Sequence, residues 1–200
     1  MKKLVALAGL MLSVAFAPVM AKDDPADKYP ESLLYDKPIK VAKDVYSAIG
    51  ALQPYTYANS GHNNNLSFVI GEKGILVVNG SSSYLLAKAL HDEIKKISNK
   101  PVLYVVDENG QGHAILGNNY WKEQGAKIIA HVDTVKEMEA TANDALIGMK
   151  AYNKEKAAKT ELVPIDQTFD KEMTLDLGGI TAKLMYFGPS HSHGDISVYI

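Results

Sequence analysis

Short apolar runs separated by polar, glycine-marked breaks set the rhythm of this chain. Ile39–Ala42 and residues 45–49 read as two strands turned at Lys43-Asp44. Leu66–Ile70 and Ile75–Val78 flank Gly71-Glu72-Lys73-Gly74, a short polar connection with hairpin chemistry. Ser81-Ser82-Ser83 then caps a helix running to about Ile97, in which Leu85, Leu86, Ala89, Leu90, Ile94 and Ile97 recur at three and four and turn one face inward. On that reading His91, Lys95 and Lys96 fall on the outer side. After the break at Pro101, Val102–Val106 is a continuous β-branched and aromatic run, the mark of a buried strand. It opens into a polar, glycine-spaced loop, residues 107–113, and the apolar pattern resumes at Ala114-Ile115-Leu116 before Gly117-Asn118.

The second half continues the alternation. Residues 118–124 make a short helix carrying Tyr120 and Trp121, whose rings read as core, and Gly125 ends it. Residues 127–130 are the next strand, with His131 in a structural role at its end. A long helix starts at Asp133 or Thr134 and reaches roughly Lys159, bent at Gly148. Thr168-Phe169-Asp170 suits a sheet edge and turn. Residues 173–177 and 180–187 are strands hinged on Gly178-Gly179, and residues 196–200 form a last strand. The order of elements is that of an α/β (α+β) chain.

Composition adds compartment and excludes some partners. With 200 residues, 46% hydrophobic and 22% charged, the chain can bury the core of one domain. A formal net charge of -2 gives no reason to expect nucleic acid or an anionic membrane surface as partner. Lys2-Lys3 followed by an apolar stretch over 4–15 reads as a secretory signal over 1–21, cleaved after Ala21 because Pro18 obstructs the earlier small-residue site. Cysteine is absent, which removes disulfides, thiolate ligands and lipidation. These features predict a periplasmic protein, soluble and off the membrane once the signal is removed. Residues 22–37, with Pro25 and Pro30, read as an extended lead-in, and 38–200 as the folded domain. A loop over 53–65, rich in Tyr, Asn, Ser and Gly, offers Tyr55, Tyr57 and His62 as a small-molecule contact surface; the other reading of His62 is a surface histidine in a polar loop.

The run from strand to polar loop to Leu116-Gly117-Asn118, then an aromatic-bearing helix and Gly-Ala-Lys-Ile-Ile-Ala-His, resembles the metallo-β-lactamase superfamily. The closing Gly188-Pro189-Ser190-His191-Ser192-His193-Gly194-Asp195 resembles that family's Gly-x-x-His-Thr-x-Gly-Asp segment. The resemblance covers roughly residues 39–200 and implies an αββα sandwich. It also implies further strands and helices after Ile200, so the domain reads as incomplete and the chain as an N-terminal fragment.

What it implies for chemistry is divided. The family's metal loop reads His-x-His-x-Asp-His, with Gly-Asn shortly after. Counting back from Gly117-Asn118, Asn109 and Gln111 stand at the first two histidines, His113 at the aspartate and Ala114 at the last histidine, while His191 matches a ligand of the closing segment. Asn79 stands where the family's bracing aspartate is found. Zinc or another divalent metal held around His113 and His191 would make a metal-dependent hydrolase with an atypical ligand set. Alternatively, Gly110 and Gly112 serve only to turn the loop and Asn109 and Gln111 tie it to backbone groups. The protein is then a catalytically degenerate periplasmic binding or accessory protein, of the kind associated with sulfur-oxidation or quinoprotein systems. A third reading is a small-molecule binder using Tyr55, Tyr57 and His62.

Overall fold

The computed structural model describes residues 28–29 and 31–200. The export signal expected over 1–21, and residues 22–27 and 30 of the lead-in, lie outside them. Strands β1 (Ile39–Ala42), β2 (Val45–Ala48), β3 (Leu66–Ile70), β4 (Ile75–Val78), β5 (Val102–Val106), β6 (Lys127–His131) and β7 (Gln167–Phe169) form one sheet in chain order. β1 to β4 pair antiparallel, whereas β4 to β7 are parallel neighbours. Parallel pairing needs crossovers, and helices supply them: α1 (Tyr84–Ile97), then α2 (Gly112–Ile115) with α3 (Asn118–Glu123), then α4 (Val132–Asn153). A second, antiparallel sheet is ordered β10 (Ser197–Tyr199), β9 (Thr181–Met185), β8 (Glu172–Asp176).

Period-two alternation explains why the large sheet is apolar on both faces. Leu66 and Phe68, Ile75 and Val77, Val105 and Ile128 point to one side, into a core shared with Leu86, Leu90 and Ile94 of α1 and Trp121 of α3. Their neighbours Val69, Leu76, Val106 and Ile129 point to the other, against Leu175, Ala182 and Leu184 of the second sheet. The layers run helix, sheet, sheet, the αββ order of an αββα sandwich. A third cluster sets Ala114, Ile115 and Leu116 against Ala142 and Met149, which seats α2 on α4.

Several local expectations are corrected. His91 is buried: it follows Ala87 by four positions and precedes Ile94 by three, which puts it on the inner stripe. Its Nδ1 lies 2.8 Å from the Tyr120 hydroxyl, and burial lowers its pKa to about 4. Ile97 is exposed. The loop expected over 107–113 gives way at Gly112 to a helical turn that takes in Ala114 and Ile115, because the Gln111 carbonyl accepts from both of their N–H groups. α4 runs through Gly148 without interruption and ends at Asn153. In the lead-in, Leu34 and also Tyr29 join the core, and the Tyr29 hydroxyl donates to Glu93 of α1 at 2.7 Å. His131 is the N-cap of α4: its Nδ1 accepts from the Asp133 N–H, its Nε2 lies 2.6 Å from the Asp170 carbonyl, and its ring stacks on Tyr186.

Candidate functional site

The carboxyl ends of β4 and β5, adjacent parallel strands, deliver two loops to one rim of the sheet, the usual place for a site in such folds. In the first, Asn79 and Ser81 have φ of 71° and 85°, and Gly80 between them is pressed against α3. A Cβ on Gly80 would stand 1.9 Å from Asn118 Oδ1, so no other residue fits without movement. The Gly80 N–H donates to the Ala114 carbonyl at 2.7 Å, and the Gly80 carbonyl accepts from the Trp121 indole at 3.0 Å. Asn79 Oδ1 accepts from the Glu108 N–H at 3.1 Å, so an amide here braces the second loop through its oxygen.

Asp107 opens that second loop and is fully buried. It accepts from Asn118 Nδ2 at 2.7 Å and from the Gly80 N–H at 3.4 Å. Burial pushes its pKa up to about 8; the two hydrogen bonds oppose that rise without cancelling it, and the Glu108 charge reinforces it.

The residues at the expected ligand positions mostly turn to one another. Asn109 is buried and its Oδ1 accepts from the Gln111 N–H at 3.0 Å. Ala114 is buried in the α2–α4 contact. Gln111 meets His191 across 80 residues of chain: the ring Nε2 lies 3.0 Å from the amide Nε2 and 3.2 Å from Oε1, so either tautomer finds a partner. His191 sits beside a tight turn in which Asp195 accepts from the N–H and hydroxyl of Ser192 at 2.7 and 2.9 Å. His113 stands apart, with Nε2 3.7 Å from Glu108 Oε1. His113, His191, Glu108 and Asp195 all line one cavity of about 430 Å³.

This donor set does not fit the family's metal. A catalytic zinc site uses three strong protein ligands and leaves one position to water. Here two of the five positions are neutral amides, one is a methyl group, and the two imidazoles already face Gln111 and Glu108. Among the described residues, no three His, Cys, Asp or Glu side chains converge on a point where a metal ion could sit.

The three residues of the 53–65 loop separate. Tyr55 stacks on Tyr152 of α4, ring centroids 4.6 Å apart, and lines a second cavity of about 370 Å³ together with Gln111 and His113. Tyr57 is pinned elsewhere, its hydroxyl donating to Glu155 and its ring lying under Lys156. His62 is a correction: it is wholly buried, not exposed to a ligand. Its Nδ1 accepts from the Tyr35 N–H at 2.8 Å, and burial lowers its pKa to about 4, against opposing interactions with the Ala48 and Asn64 backbone.

The pattern did not mark Asp107, Glu108, Ser82 or Tyr152 as site residues. A charged pair directly after an unbroken apolar strand was a usable signal for the first two. Tyr152 belongs to a stripe with Glu137, Thr141, Asp144 and Gly148 that lines the second cavity at helical spacing, masked because its members are small or charged rather than apolar.

Two parallel-extended loops above a helix–sheet–sheet sandwich define a metallo-β-lactamase fold, and comparison with solved structures agrees. A metallo-β-lactamase from Pontibacter korlensis superposes with a TM-score of 0.62 at 15% identity, covering 82% of this chain and 66% of that one. A Cronobacter sakazakii metallo-β-lactamase with a HARLDQ motif gives 0.57 at 16% identity, covering 81% and 58%. A stereoselective inverting sec-alkylsulfatase from Pseudomonas sp. gives 0.59 at 17% identity, covering 82% and 29%. The chain thus spans less than two thirds of the length of these proteins. At such identities the likeness establishes the fold. No family model matches the sequence.

Proposed function

We propose that this is an exported protein of metallo-β-lactamase fold that works by binding, as a periplasmic ligand-binding or accessory protein, and not by zinc-dependent hydrolysis. The observation that carries this reading is the contact between Gln111 and His191. It joins two of the family's ligand positions through an amide–imidazole hydrogen bond, and Asn109 and Ala114 are turned inward beside it. The export half of the reading is supported by the basic and apolar N-terminal pattern. Among the described residues no helix is long and apolar enough to cross a membrane.

A second reading, a hydrolase with an unusual metal set, is favoured by one fact: His113 and His191 share a cavity with Glu108 and Asp195. The test is a screen of the full reading frame, equilibrated with zinc, iron or manganese, against ester, thioester, lactam and phosphodiester substrates. The binding reading expects no metal-dependent turnover. Turnover that is lost on chelation, restored by metal, and abolished in His113→Ala or His191→Ala would establish the hydrolase instead.

A further inference from the structure

We propose that the cleft between the 54–62 loop and α4 is a binding site for a small organic cation carrying a planar group; this inference rests on the binding reading above. The cleft holds about 370 Å³, within the range of small-molecule sites. One wall is the stacked pair Tyr55 and Tyr152, inclined by only 18°, which offers aromatic surface to a planar or cationic group. Leu116 and Met149 contribute apolar surface. Glu137 and Asp144 line the cleft together with His113, and among the described residues no lysine does.

A separate observation points to a ligand. Ser82 lines the same cleft, is 2% exposed, and its hydroxyl has no hydrogen-bond partner among the described residues. A buried hydroxyl left unpaired is unfavourable, and a ligand N–H or O–H reaching it would remove that penalty. Gly61 packs directly against this hydroxyl, where a Cβ would come within 2.8 Å of Ser82 Oγ. Gly148, in the middle of α4, also lines the cleft, and a Cβ built on it meets nothing within 4 Å. A glycine inside a helix is unfavourable relative to most residues, and here its effect is to leave the cleft open. Aromatic wall, two carboxylates, an unpaired hydroxyl and open space together describe a receptor for an ammonium or amidinium group attached to a ring.

The probe is phenethylamine, with phenylacetate as the control of similar shape and opposite charge. Both are titrated by calorimetry and by NMR into the mature, full-length protein. The expected result is saturable binding of phenethylamine and none of phenylacetate at the same concentrations. Asp144→Asn should weaken binding roughly threefold to tenfold, in the range of a partly exposed charge contact. Gly148→Leu should abolish binding while leaving the fold as stable as before or slightly more so, since leucine is the better helix former. Phenylacetate binding as well as phenethylamine, no saturable binding of the cation, or wild-type affinity in Gly148→Leu would overturn the proposal. Metal analysis is independent of this outcome. A metal-loaded protein that still binds the cation would sink the non-hydrolytic reading and leave the cleft standing; a metal-free protein that binds none would do the reverse.

Discussion

Three buried titratable side chains pull stability in opposite directions with pH. His62 and His91 have pKa values lowered to about 4, against about 6.5 in an unfolded chain. Between those values the unfolded state takes up protons that the native state does not, so stability falls as pH drops from about 6.5 to 4. For His62 the shift corresponds to about 3 kcal/mol by pH 4. A His62→Gln variant, which keeps an acceptor for the Tyr35 N–H, should show a shallower loss of Tm over that window; an unchanged slope would contradict the assignment. Asp107 behaves conversely. Its pKa, raised to about 8, means that the native state holds a proton the unfolded chain has released, so stability falls as pH rises from about 4 to 8. Asp107→Asn removes this titration, so the variant should lose far less stability than the parent between pH 4 and pH 8. Chemical denaturation at the two pH values reads this directly, and a variant that loses as much as the parent would refute it.

Elements add predictions that do not depend on titration. Ser83 caps α1 by accepting from the Leu86 N–H at 3.2 Å. Ser83→Ala should cost about 1 kcal/mol and lower Tm by about 2–4 °C. Trp121→Phe removes the donor to the Gly80 carbonyl, leaves that acceptor buried and unpaired, and should cost about 1–3 kcal/mol. A scanning-calorimetry result with either variant unchanged would contradict the contact concerned. The strands were legible because both faces of the large sheet are buried, so 66–70, 75–78 and 102–106 read as apolar runs in any register. α4 was legible in existence but not in role, since its cleft-lining stripe mixes carboxylates, glycine and tyrosine. His91 was misread because an imidazole counts as polar, and the Tyr120 hydroxyl that partners its ring nitrogen lies 29 residues away. Ala114-Ile115-Leu116 read only as a resumed apolar run because three apolar residues carry no period; the Gln111 carbonyl, invisible in the pattern, winds the first two into a turn.

At the scale of the whole molecule, a helix layer and two stacked sheets explain where a site can form but not what it does. The same architecture appears in structures named as β-lactamases and as an alkylsulfatase, so function lies in the loops that the sheet presents. The frame of those loops was readable from Gly117-Asn118 and from the segment around His191. Their chemistry was not, because the meeting of Gln111 with His191 joins positions 80 residues apart and no local pattern encodes it. Whether this rim holds a metal decides between the binding protein and the hydrolase. Elemental mass spectrometry of the mature protein from the complete reading frame, untagged and purified without chelator, measures that directly. Folded protein without stoichiometric zinc, iron or manganese, unchanged after incubation with zinc, is the predicted result. Stoichiometric metal that disappears in His113→Ala or His191→Ala would contradict it and return the protein to the metal-dependent hydrolases.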